Sequence, residues 1–85
     1  MSMSSDAGIP EGAPQREALE AAVEAFSAAG IQMPKLDAEV MLASITGRDR
    51  SSFIASPETA LTPSQSRSFS TAVRRRLRRE PVAYI

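Results

Sequence analysis

Few residues in this chain could do chemistry, and their spacing limits what that chemistry could be. Glu17, Glu20 and Glu24 recur every three to four positions, which places three carboxylates on one face of a helix. Paired carboxylates can act as general acid and base where a cleft pushes their pKa values apart. These three lie opposite an apolar stripe, so an outward, solvated face accounts for them. Ser51 and Ser52 stand where a helix would begin, and capping or solvation accounts for them too. There is no histidine and no cysteine. That removes the commonest general base, the commonest metal ligand, the thiolate nucleophile and any disulfide. Gly8, Gly12, Gly30 and Gly47 are isolated, so none belongs to a phosphate-cradling loop. No catalytic, cofactor-binding or metal-ligating residue is expected in the chain.

Two basic features remain. Arg74, Arg75, Arg76, Arg78 and Arg79 crowd the end of an expected helix. There they complement the helix dipole, and they could also meet an acidic or phosphate-bearing partner. Arg74, Arg75, Arg76 and Arg78 are the candidate partner contacts. An alternative function follows from Arg74, Arg75, Arg78 and Arg79: a nucleic-acid-binding helical module. No aromatic residue interleaves with these arginines, so a stacking platform for single strands is not indicated. The second feature is Ile45-Thr46-Gly47-Arg48-Asp49, a short glycine-containing turn of the helix-turn-helix kind. Pro57 cuts the following helix to about two turns, short for a helix lying in a major groove.

These groups must be positioned by a small body. The 85 residues allow one domain, and a core of this size supplies on the order of 3–5 kcal/mol. Residues 1–46 carry a net charge of −5 and residues 47–85 a net +5, so the two halves should attract each other within one fold. No signal peptide and no apolar run of membrane-spanning length is present. A cytoplasmic protein with no membrane partner is the expectation.

The elements read as helices. Residues 1–13 are rich in Ser, Gly and Pro without periodicity and read as a flexible tail. Residues 14–80 form the folded part. Leu19, Ala22, Val23, Phe26 and Ala29 make one stripe of a first helix from about Pro14 to Ala29. Gly30 should close it in the left-handed conformation, with Ile31 folding back toward Phe26. A second helix begins between Pro34 and Asp37 and ends near Thr46. Its apolar residues point nearly all round, which places it at the centre of the bundle with Val40 near the middle. Met41 reads as a core filler. Asp49 caps a short third helix, Arg50 to Ala55. Thr62-Pro63-Ser64-Gln65 is a capping box with proline in the first turn. The fourth helix then runs to about Arg79, with Arg76 inside its apolar stripe, either snorkelling outward or facing a neighbour absent from this chain. The expected core is Leu19, Val23, Phe26, Val40, Leu42, Ile45, Phe53, Ile54, Phe69, Val73 and Leu77. The fold class is all-α, a small antiparallel bundle of four to five helices. Residues 81–85, apolar and extended after Pro81, read as the start of a linker.

Several stretches together resemble one family. They are Ala29-Gly30-Ile31 followed by Leu36-Asp37-Ala38-Glu39-Val40-Met41-Leu42, then Gly47-Arg48-Asp49-Arg50, then Pro57-Glu58 with Leu61-Thr62. Last come Arg75-Arg76 and Arg79-Glu80-Pro81-Val82-Ala83-Tyr84-Ile85. In order and spacing, from about Ala18 to Ile85, they resemble the N-terminal part of the HemK family, the protein-(glutamine-N5) methyltransferases of peptide chain release factors. The resemblance implies a helical domain that helps hold the release factor. It also implies a catalytic domain beyond Ile85 that binds S-adenosylmethionine and carries an Asn-Pro-Pro-Tyr motif for the glutamine of the Gly-Gly-Gln loop. That motif is absent from these 85 residues. The expected partners are therefore a release factor and the chain's own methyltransferase domain, and a nucleic-acid partner is not expected. The cofactor, S-adenosylmethionine, is expected only in the full-length enzyme.

Overall fold

Prolines set the starts of three of the four helices among the described residues. The computed structural model describes residues 9–82. Pro14 is the N-cap of α1 (Gln15–Ala28), and Pro34 and Pro63 open α2 (Pro34–Thr46) and α4 (Pro63–Leu77). A first-turn proline gives up no hydrogen bond, because its missing amide would have no partner within the helix. The short α3 (Arg50–Ala55) starts from Asp49, whose side chain accepts from the Ser52 amide. The capping box at Thr62 and Gln65 is formed in both directions, at 2.9 and 3.0 Å.

Two helices end in the same way. At α1 the Ile31 amide donates to the Phe26 carbonyl at 3.0 Å and the Gly30 amide to that of Ser27 at 3.1 Å, with Gly30 at φ +79°. This is the closure the sequence implies, and Ile31 and Phe26 both lie in the buried core. At α4 the Glu80 amide donates to Arg75 and the Arg79 amide to Arg76. Here the left-handed position is held by Arg79, at φ +71°, where a side chain costs about 1 kcal/mol. That turn stops α4 at Leu77, two residues short of expectation. The Arg79 guanidinium in turn donates to the Ala29 carbonyl at 2.5 Å, which ties the two helix ends together.

The described residues form an all-helical bundle. α2 packs against α1 on one side and α4 on the other, and α1 also touches α4. The one extended pairing is a single antiparallel bridge, Pro14 to Ala60. Phe26, Phe69, Leu42, Leu61 and Val73 are fully enclosed. Ala18, Ala22, Ala38 and Ala72 lie among them, small side chains that let backbones approach. Phe53 and Met41 are buried as expected, and Leu19, Val23, Ile45 and Leu77 are half-buried at the core's edge. Val82 also packs against this core.

Three expectations are corrected. Val40 is 47% exposed, not central. It lies two residues from both Ala38 and Leu42, which face the core, and at 100° per residue it must point away from them. Ile54 is 70% exposed, because α3 seats one anchor and Phe53 occupies that seat. The tail reading fails for residues 9–13. Ile9 and Ala13 are buried, the Ile9 amide donates to Ser70 Oγ at 3.0 Å, and Ser66 Oγ donates to the Pro10 carbonyl at 3.2 Å. Residues 1–8 of the expected tail and 83–85 of the expected linker lie outside the described residues.

The placement of α2 gives a paired prediction. Val40→Asp should melt close to the unsubstituted protein, since exposed substitutions usually fall within about 0.5 kcal/mol. Leu42→Asp should abolish cooperative unfolding, because an unpaired buried charge costs several kcal/mol in a domain holding roughly 3–5. Thermal melts followed by circular dichroism check both.

Candidate docking surface

The arginine run does not form one cationic patch. Arg75 Nε donates to Glu80 Oε1 at 2.8 Å, and Arg78 Nη2 reaches Glu80 Oε2 at 3.5 Å. Arg76 turns the other way. Its Nε donates to Asp37 Oδ2 on α2 at 2.9 Å and its Nη1 to the Glu80 carbonyl at 3.2 Å. Arg76 sits in the apolar stripe because it bridges two packed helices, and the neighbour it faces belongs to the same chain. Arg74 is exposed and meets the Thr71 hydroxyl at 3.3 Å. Of the four candidate contacts, Arg75 and Arg78 are brought together around one carboxylate, while Arg76 is drawn into the helix packing.

Two further ion pairs follow the charge division between the halves, and a third, Arg16 with Glu58, runs against it. Arg50 reaches Glu39 at 3.4 Å, Arg67 reaches Glu11 at 3.2 Å, and Arg16 reaches Glu58 at 2.7 Å. Each joins one half of the chain to the other. The Arg16 contact holds the Glu58 carboxyl below its ordinary pKa, first through the hydrogen bond and then through the charge of Arg16. The same bond raises Arg16.

On the opposite side, α1 and α2 diverge around an apolar groove of about 360 Å³, lined by Leu19, Glu20, Val23, Glu24, Lys35 and Glu39. Leu19 and Val23 are one helical turn apart, so they form its floor together. A cleft of about 250 Å³ extends it toward Phe53 and Ile54 on α3. A further hollow of about 420 Å³ runs past Met33 and Leu36 to Arg50. Met33, Leu36 and Ile54 are the exposed large apolar residues beside these hollows. The sequence reading missed this surface because Leu19, Val23 and Ile54 were all assigned to the core. The excess of apolar residues on α2 signals only the neighbouring hollow beside Leu36.

The connection from α3 to α4 holds the start of α1. The Gln15 amide donates to the Thr59 carbonyl at 2.8 Å, the Arg16 amide to Pro57 at 2.9 Å, and the Leu61 amide to Ala13 at 2.9 Å. The fully buried Gln15 side chain donates to the carbonyls of Ser52 and Ser56 and accepts from Arg48. This fixes α3, and with it Ile54, against the groove. Among the described residues no group of three or more His, Cys, Asp or Glu could hold a metal ion. No helix among them is long and apolar enough to cross a membrane.

Two ion pairs give measurable consequences. Arg76→Met leaves the largely covered Asp37 carboxylate without its cation and should cost about 1–3 kcal/mol. The double variant Arg76→Met/Asp37→Leu should recover part of that loss, since it removes the stranded charge. Urea unfolding of the two variants gives the comparison. Glu58 has its pKa lowered in the folded state, so its pair stabilises above the unfolded value and the gain is lost as pH falls through the folded value. The melting difference between the unsubstituted protein and Glu58→Gln should thus be small at pH 7 and shrink as the pH falls below the ordinary carboxylate range.

Comparison with known proteins places this geometry. A family model described as the PrmC N-terminal domain matches residues 17–85. A release factor glutamine methyltransferase of Coxiella burnetii is 44% identical over 52 residues, 61% of this chain. The chain spans 19% of that protein's length. No solved structure matches. The family match agrees with the HemK resemblance read from the sequence: the chain belongs to the PrmC N-terminal domain family.

Proposed function

We propose that this chain is the substrate-docking domain of an S-adenosylmethionine-dependent enzyme that methylates the glutamine of the Gly-Gly-Gln motif in peptide chain release factors. The observation that carries this reading is the family match across residues 17–85. The activity of the Coxiella burnetii relative supports the choice of substrate. A glutamine amide is a weak nucleophile, so its alignment with the methyl donor dominates what the enzyme must supply. A separate domain that grips the substrate protein away from the reacting loop supplies that alignment. Residues 14–80 are the docking body, and residues 81–85 lead toward the methyltransferase domain. The exposed Arg74, with Arg75, Arg76 and Arg78 around Glu80 and Asp37, lies at the end of α4 nearest that connection. These arginines are suited to contacts with the catalytic domain or the substrate through whatever charge their internal partners leave uncompensated.

The test compares the full-length enzyme with a version lacking residues 1–80. Removal of the domain should raise KM for release factor by about tenfold or more, the scale of a lost docking contact. Affinity for S-adenosylmethionine should stay unchanged, and the isolated 85 residues should bind none in calorimetry. An unchanged KM for release factor would end the docking reading.

A further inference from the structure

We infer that the groove between α1 and α2 seats an amphipathic helix of the protein substrate, with basic residues flanking its apolar stripe. The inference rests on the release-factor reading for the identity of the partner and goes beyond it in assigning the surface and the chemistry. The groove floor is apolar, made by Leu19 and Val23 with the stems of Lys35 and Glu39. A helix lays one apolar stripe into such a groove, reading it as anchors one turn apart.

Charge decides which helix fits. Three carboxylates and one ammonium line the groove, so its rim is acidic. Glu39 is largely covered and paired with Arg50. Glu20 is exposed and reached by Arg16 at 3.3 Å. Glu24 is exposed and has no ion-pair partner among the described residues. The rim thus offers carboxylates along the α1 side, next to the exposed Glu17. Lysines or arginines on the flank of a docked helix meet them. A phosphate backbone is repelled by them. The exposed Ile54 extends the apolar path onto α3, giving the far end of the docked helix a second anchor.

The experiment is titration of the full-length enzyme with its release factor, at low and high salt. Glu20→Lys/Glu24→Lys should weaken binding by about tenfold, and Val23→Asn by a similar factor, as expected for a reversed rim and a lost anchor. Lys35→Glu should tighten binding, a gain that a misfolded variant cannot produce. Ser68→Lys, an equal-sign charge on the exposed face of α4, should leave it unchanged. The effect of the rim variants should shrink at high salt. If the unsubstituted enzyme binds release factor and the groove variants bind as well as it does, the groove assignment is overturned while docking stands. If the unsubstituted enzyme binds no release factor, the functional reading fails and this assignment with it. Two further results would overturn the assignment. Rim variants that lower the melting temperature of the enzyme alone would give the groove to the catalytic domain. Rim variants that dissolve a dimer seen in sedimentation would give it to a second copy.

Discussion

A bundle with three helices of 13 to 15 residues cannot surround any one of them. A helix needs neighbours on every side to bury side chains all round. α2 has α1 on one side and α4 on another, and its remaining side stays open. Its sequence nevertheless carries apolar residues there, so Leu36 and Val40 face outward while Ala38, Met41 and Leu42 face in. The groove, the exposed stripe and the half-buried edge of the core all follow from this shortage of neighbours.

The same shortage explains the weight carried by one polar cluster. With α3 only six residues long, a single phenylalanine cannot fix its orientation. Gln15 does so from the first position of α1, by donating to two carbonyls at the end of α3 and accepting from Arg48. A buried amide with its hydrogen bonds made contributes modestly to stability, and both carbonyls also accept from backbone amides, Ser52 from Ser56 and Ser56 from Thr59. The cluster acts on geometry. It sets where Phe53 enters the core and therefore where Ile54 stands relative to the groove.

Local chemistry was readable in the sequence because it depends on neighbours along the chain. The capping box at Thr62 and Gln65, the Asp49 cap and the Gly30 closure each need only a few adjacent residues, and each is formed. What depended on distant partners was not readable. The periodicity of α2 cannot say which apolar face wins the core, so Val40 was misplaced. Ile9 and Pro10 looked like tail because their partners, Ser70 and Ser66, are more than fifty residues away. Arg76 looked like a misplaced charge because Asp37 lies on another helix. The groove was not legible, because its apolar floor, Leu19 and Val23, falls on the same stripe of α1 as the buried Ala22 and Phe26.

Charge completes the division of the surface. The acidic first half and basic second half meet in Arg50 with Glu39, Arg67 with Glu11 and Arg76 with Asp37, while Arg16 with Glu58 joins them in the opposite sense. The exposed pairs among them add little stability, but all four settle which charges remain to meet a partner. Glu80 draws Arg75 and Arg78 toward itself, so the most basic stretch of the sequence is partly neutralised where it stands. Along α1 the balance runs the other way, since Glu17 and Glu24 face water with no cation paired to them among the described residues. An apolar floor beside carboxylates that outnumber the one ammonium gives the groove proposed for docking a net negative rim, and such a rim would favour a basic helix over nucleic acid.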